Sequence, residues 1–393
     1  MSGQISAITS MNLRSVRERT ASTLVALVSI AGVVIVLIGV LSIAAGFRAV
    51  LDQAGQKDVV LVLRNGATDE MGSSLVNAQT RIVADSSDVA RDAEGPVVSP
   101  ELYVVVDVPL LRTGTAANVP LRGVGTQAAK LRKNWRIAAG RNFTPGTFEI
   151  VVGRGASEQF AGLTVGNRVR WGTADWSVVG IFEDGGSVSE SEVWTDATVL
   201  QGVYNRGSSF QSMRVRLASA SAAESFKKAV ADDPRLKLKA QTEKEYYDEQ
   251  SRTLQTLVRS IGITIAALMG LGAIFAALNT MYSAVSARTR EIATLRALGF
   301  GPTPVVISVL TEALLIGLVG AAAGMLIAYF GFNGLRASTM NFSTFSQITF
   351  AFTVTPQILV LGLAYALGLA FIGGLLPGVR AARLPITTGL REL

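Results

Sequence analysis

The chain of 393 residues contains no cysteine and no histidine. Without thiols there is no disulfide framework, no Cys-x-x-Cys redox pair and no thiolate metal site. Without imidazole there is no Ser-His-Asp or Cys-His relay, no histidine-ligated metal and no histidine pH switch. Acid–base chemistry is left to carboxylates, Lys and Tyr, which argues against an enzyme. Charge is scarce as well: charged residues make up 17% of the chain, against about 25% in soluble domains. No Gly-x-x-x-x-Gly-Lys-Ser/Thr sequence occurs, so these residues offer no P-loop to cradle nucleotide phosphates.

What is present is apolar and arranged in four uncharged stretches, one plus three around a long insertion. The first lies between Arg19 and Arg48, the second between Arg259 and Arg288. The third runs from Val305 to Gly334 with Glu312 as its one interruption, and the fourth from Ile358 to Leu376. Each holds the roughly 20 residues that cross a ~30 Å hydrocarbon layer as a helix.

The net charge of +7 would suggest nucleic-acid binding if it were spread evenly, and it is not. Residues 47–259 carry 26 Lys/Arg and 25 Asp/Glu. The other basic residues are all Arg, and nine of them form three groups: Arg14, Arg17 and Arg19; Arg288, Arg290 and Arg296; Arg380, Arg383 and Arg391. The positive-inside rule places such groups in the cytoplasm. Both termini and the loop between spans two and three are then inside, and the large insertion is outside. The division that follows is 1–22 an inner segment with an amphipathic helix, 23–46 span one, 47–255 the outer domain and 260–285 span two. Next come 286–304 an inner loop with a short helix, 305–331 span three, 332–355 a short outer loop, 356–377 span four and 378–393 an inner tail.

Two alternatives stand beside this division. The first span has the basic start of a signal peptide, but its uncharged run of 28 residues exceeds the 7–15 of a signal core. Met11–Ala21 suits a helix lying along the inner face, with its arginines toward lipid headgroups. The second span begins well before the membrane: Glu243–Val285 has no Pro, and no Gly before Gly262. Its acidic start suits a helix N-terminus, and Asp248 with Arg252 is a favourable i,i+4 pair. This is either one stalk helix of about 65 Å or a helix broken near Ser260–Gly262.

Gly317, Gly320 and Gly324, and Ala364 with Gly368, offer small faces for close helix approach. Thr355–Pro356 caps span four and Pro377 ends it. Glu312 is the one acid inside a span, a functional candidate by position, though its shallow depth and nearby arginines favour a structural ion pair.

The outer domain reads as α+β. Val59–Leu63, Met71–Ala84 and Leu102–Val106 make one β-α-β unit, and Met213–Leu217, Ala222–Ala231 and Leu236–Ala240 make another. Between them lie strands at Val119–Val124, Glu149–Val152, Arg168–Trp171, Trp176–Phe182 and Glu192–Thr195. The fold class is therefore an α-helical integral membrane protein with four transmembrane helices and an inserted extracytoplasmic α+β domain, built from two β-α-β half-lobes and a β-rich lobe. Lys130–Arg141 is a basic run with one Trp, either a solvated face or a site for lipid phosphates or an acidic partner. Glu183, Asp184, Glu190 and Glu192 crowd one loop, but their spacing is not that of a calcium loop.

Ser286–Gly299 (SARTREIATLRALG), directly after one span and before another, resembles the short cytoplasmic helix of bacterial ABC permeases of the macrolide-exporter, lipoprotein-releasing and cell-division-permease type. Pro377–Leu393 (PGVRAARLPITTGLREL) is similar to that family's closing pattern, and Glu149–Phe182 to a recurring segment of its outer domain. Leu384 stands where the family often has an acid before the last proline. The resemblance covers nearly the whole chain. It implies that Arg288, Arg290, Glu291, Ile292, Leu295, Arg296, Leu298 and Gly299 form a coupling helix, on which a separate cytoplasmic ABC ATPase dimer docks. Ile292, Leu295 and Leu298 form its apolar stripe. The chain would bind no cofactor itself; ATP and Mg would sit on the partner. It would pair with itself or a related permease in the bacterial inner membrane, among membrane lipids. A periplasmic adaptor and an outer-membrane channel would complete the path where two membranes exist. Nucleic acid is not an expected partner. The function implied is export or extraction of an amphiphile, lipid or peptide by mechanotransmission. The alternatives are an ATP-driven regulator of an outer partner such as a wall hydrolase, and a membrane-anchored sensor with no ATPase.

Overall fold

In the computed structural model, which describes residues 20–341 and 346–385, each uncharged stretch becomes a helix. The expected inner-face helix before Thr20 and the end of the tail, with Arg391, lie outside the described residues. Helix α1 covers Thr20–Ala54. The chain then forms β1 (Val59–Arg64), α2 (Asn77–Ala84), β2 (Val98–Pro109), β3 (Ala116–Val124), β4 (Trp135–Gly140), β5 (Glu149–Gly153) and α3 (Arg154–Gln159). It continues through β6 (Arg168–Trp171), β7 (Ala174–Asp184), β8 (Val193–Asp196), α4 (Ala197–Val203), β9 (Ser212–Arg216), α5 (Ala223–Asp232) and β10 (Leu238–Thr242). Helices α6 (Glu243–Ala287), α7 (Thr289–Ala297) and α8 (Pro302–Phe332) follow. The paired strands β11 (Arg336–Asn341) and β12 (Ser346–Ala351) come next, then α9 (Pro356–Arg383). The chain divides into two units, one of residues up to 45, 256–335 and 352 onward, the other of residues 46–255 and 336–351.

Among the described residues four helices are long and apolar enough to cross a membrane: Thr23–Ala54, Thr256–Ala287, Pro302–Phe332 and Pro356–Arg383. Small residues set how closely they approach. A Cβ on Gly317 would stand 2.6 Å from that of Ala370, and one on Gly324 would stand 2.8 Å from the Ala31 carbonyl oxygen. Gly368, paired with Ala364 in the sequence reading, has nothing within 4 Å; Gly373 and Gly374 take that role in α9, against Ala277 and Ala313. Pro377 is a second correction, since it stands inside α9 rather than ending it. Proline costs one i→i−4 bond, but Pro377, Gly378, Ala381 and Ala382 are all buried, and their packing carries the helix on to Arg383. Helix α6 runs unbroken through Ser260–Gly262; its 45 residues span about 68 Å at 1.5 Å per residue.

The α+β unit is built on one ten-stranded sheet in the order β10-β1-β9-β2-β3-β8-β5-β7-β4, with β6 on β7. Its first four strands are antiparallel neighbours, with β1 between β10 and β9. The two β-α-β units thus interlock as a split β-α-β pair. Strand β1, VVLVL followed by Arg64, is buried along all five apolar residues. Val60 and Val62 pack with Val83 of α2 and Phe226 and Val230 of α5, while Val59 meets Val97 and Leu131. Helix α2 starts at Asn77, later than expected, because Leu75–Val76 pair with Ser209–Phe210. The β-rich lobe has its own core of Leu121, Ile150, Phe160, Trp176 and Leu200.

Residues 332–355, read from sequence as a short loop, contain the β11–β12 hairpin, and it packs on the α+β unit. Ile348 and Phe350 are buried. The Thr349 N–H donates to Ser191 Oγ at 2.9 Å, Arg336 pairs with Glu158, and Phe350 meets Phe47 edge-on with ring centroids 6.0 Å apart.

Candidate functional site

The short helix α7 is defined by its two breaks. Helix α6 stops at Ala287, and Arg288 takes a non-helical conformation as the N-cap of α7. At the other end Gly299 adopts φ +95°, the left-handed conformation that ends helices. Its N–H donates to the Arg296 carbonyl and that of Phe300 to the Leu295 carbonyl. Gly301 and Pro302 then start α8, where proline is tolerated because its position needs no donor.

Side chains tie α7 to its neighbours on both sides. Arg288 is buried and donates through Nη1 to Glu312 Oε2 of α8 at 3.1 Å. Arg296 donates through Nη1 to the carbonyl of Leu384, the C-cap of α9, at 2.7 Å. Arg380 of α9 lies over the Tyr282 ring of α6, 5.5 Å from its centroid. Ile292 and Ala293 are buried, Ile292 within the core of the spans. That leaves an exposed face of Arg290, Glu291, Thr294, Ala297, Leu298 and Gly299, with Leu298 72% exposed. The expected stripe is therefore divided: Ile292 points inward, Leu295 is half-buried, and Leu298 is presented outward.

A second site, which sequence reasoning missed, is a charge cluster at the head of α6. It joins Glu70, Glu101, Glu192 and Glu243 to Arg122, Arg132 and Arg214, all seven buried. Arg122 of β3 donates to Glu192 (2.7 and 2.8 Å), Glu70 (2.8 and 3.0 Å) and Glu101 (2.9 Å). Arg214 of β9 donates to Glu243 Oε1 at 2.9 Å, Glu70 at 3.2 Å and the Tyr247 hydroxyl at 3.3 Å, and also pairs with Glu101. Burial pushes the Glu70 carboxyl up, but Arg122 and Arg214 outweigh it and hold the group well below the usual range. The Glu101 carboxyl is likewise lowered, burial being overcome by Arg214, Arg132 and Arg122. Glu243 goes the other way: burial outweighs Arg132 and Arg214 and pushes it up. Burial also drives Tyr247 up to about 12.

The other two candidates dissolve into local pairs. In the basic run, Lys130 holds Asp92 and Glu94 at 2.7 and 2.8 Å, Arg132 enters the buried cluster, and Arg136 and Arg141 pair with Glu183 and Glu149. Trp135 stacks on Trp194 and Phe182, so half of this run is strand β4. In the acidic loop, Glu183 also takes Arg154 at 2.6 Å, Asp184 accepts from Ser187 Oγ at 2.6 Å, and Glu190 accepts from the N–H of Asp184 and Gly186. Among the described residues no group of acids could hold a metal ion. On α6, Lys244 pairs with Asp248 at 3.2 Å.

Residues 23–233 match the family model for the MacB-like periplasmic core domain, and residues 263–386 match that for the FtsX-like permease C-terminal region. The macrolide export ATP-binding/permease protein MacB of Bordetella avium is 25% identical, covering 98% of this chain and 59% of that protein. The MacB of Hahella chejuensis is 27% identical over 79% of this chain and 50% of that protein. The pyoverdine export ATP-binding/permease protein PvdT of Pseudomonas savastanoi pv. phaseolicola is 33% identical over 34% of this chain and 19% of that protein. The chain thus spans about half the length of the curated MacB relatives it matches. Among solved structures, the periplasmic region of MacB from Actinobacillus actinomycetemcomitans aligns with TM-score 0.37 and 14% identity, over 52% of this chain and 94% of that one.

Proposed function

This chain belongs to the permease family of the MacB-like periplasmic core domain, with an FtsX-like permease C-terminal region, and from that premise we propose that it couples ATP hydrolysis elsewhere to movement of its α+β unit. The observation that carries this reading is the build of α7. A helix tied to α8 through Arg288–Glu312 and to α9 through Arg296–Leu384 transmits a push to both spans, and its outward face is free to receive one. A cytoplasmic ABC ATPase, with ATP and Mg bound there, docks on Arg290, Glu291 and Leu298. Two permease chains and two ATPase subunits make the working complex, in the inner membrane with both termini inside.

Helix α6 is the transmission element. It is one helix from Glu243 to Ala287, so its residues belong to both units and a tilt at one end is carried to the other. The process is a rigid-body switch, and the cargo an amphiphile, lipid or peptide exported or extracted from the outer side. The length of the MacB-like match favours transport over the second reading, a regulator that passes the same movement to an outer partner such as a wall hydrolase. Extraction of the tagged chain from its own membrane tests the docking: an ATPase at one copy per permease is expected, and a chain recovered alone in several mild detergents contradicts it. Turnover separates the two readings, rising with an added amphiphile for transport and only with an outer protein for regulation.

A further inference from the structure

The seven charges of the buried cluster do not share their bonds evenly. Arg122 places hydrogen bonds from Nε, Nη1 and Nη2 on Glu70, Glu101 and Glu192. Ser212 and Trp194 add bonds of 2.6 and 2.7 Å to Glu70 and Glu192. This saturated half ties the turn after β1 to β2, β3 and the start of β8. The half that faces α6 is built differently. Glu243, the first residue of α6, takes one short bond from Arg214 and lies 4.0 Å from Arg132 Nη1. Its Oε2, Arg132 Nη1 and the Tyr246 hydroxyl are buried without a hydrogen-bond partner. The Tyr246 side chain also lines a cavity of about 20 Å³, room for one water, together with Glu70, Arg122, Glu192, Tyr247 and Gln250.

A buried carboxylate with one short bond recovers little of its lost hydration, and here four carboxylates face three guanidiniums. We infer that Glu243 is a releasable pin: the first turns of α6 come off the strands as a unit, while the half of the cluster centred on Arg122 keeps β2, β3 and β8 joined. Burial pushing the Glu243 carboxyl up agrees with this: Arg132 and Arg214 do not offset its burial, and Glu101 and Tyr247 face it as well, whereas Arg122 and Arg214 more than offset the burial of Glu70. Glu243 acts this way whether or not an ATPase docks on α7.

Hydrogen exchange on the full chain in lipid nanodiscs, read by mass spectrometry, tests the pin. In the unsubstituted chain the amides of residues 247–255 should exchange through a local opening, faster than those of β2 and β3. The E243Q chain keeps the acceptor for Arg214 and removes the surplus charge. Its 247–255 amides should slow roughly fivefold or more, the factor that one relieved buried polar group represents, with β2 and β3 unchanged. Equal protection of residues 247–255 and β2–β3 in the unsubstituted chain overturns the inference. So does unchanged or faster exchange in E243Q, or failure of that chain to fold.

Discussion

Arg122 is the one charge in β3, Arg214 shares the short strand β9 with Arg216, and Glu101 opens the apolar run of β2. Little in the sequence sets these three apart from other strand charges. Alternation does not expose them, because β3 is buried nearly throughout, and the partners lie 21 to 144 residues apart. Glu312 was more legible: an acid within a span needs a partner, and the arginines before span three supplied one. Removing either member of Arg288–Glu312 breaks a buried ion pair, so Arg288→Ala or Glu312→Ala should cost about 3–5 kcal/mol, while the double exchange to Met should be near neutral. Thermal unfolding in detergent checks both. The acids of the cluster also set a pH dependence. Glu70 and Glu101 titrate below the ordinary value of 4.5 in the folded chain, so their stabilisation is present above 4.5 and lost as pH falls through their folded values. The melting temperature should drop once pH passes below that value. In an E101Q chain it should start lower at neutral pH and drop less. A melting temperature flat with pH through that window would contradict the assignment.

At the scale of elements, the spans and most strands follow from pattern: gaps in charge for the helices, short β-branched runs bounded by turn residues for the strands. The β11–β12 hairpin did not follow, because its partners, Ser191, Glu158 and Phe47, are remote in sequence. Helix α7 was legible as a helix, but not in orientation. Both faces of Thr289–Ala297 carry apolar residues, and only packing against the spans decides that Ile292 goes in and Leu298 out. That division is itself testable. Ile292→Ala should lower stability by about 2–5 kcal/mol as a core truncation. Leu298→Glu should leave the melting temperature alone and weaken ATPase association by about 2 kcal/mol or more. Melting and pull-down of the two variants read these effects separately, and the same loss of both properties in each variant would erase the distinction between faces.

The whole molecule is a helical unit and an α+β unit that share α1 and α6 as continuous helices. Its division into membrane and outer parts was written in the charge distribution, balanced over residues 47–259 and basic in short groups elsewhere. The proposed coupling enters through the exposed face of α7. The point of entry is the central claim. The absence of cysteine permits its most direct test, a chain whose sole thiol is introduced by Leu298→Cys, treated in native membranes with a short thiol-to-amine cross-linker. One adduct between this chain and an ATP-hydrolysing protein is expected, missing when the thiol is placed instead at Phe275, exposed on the second span. An adduct equally strong from both positions, or one from residue 298 to proteins without ATPase activity, would contradict it.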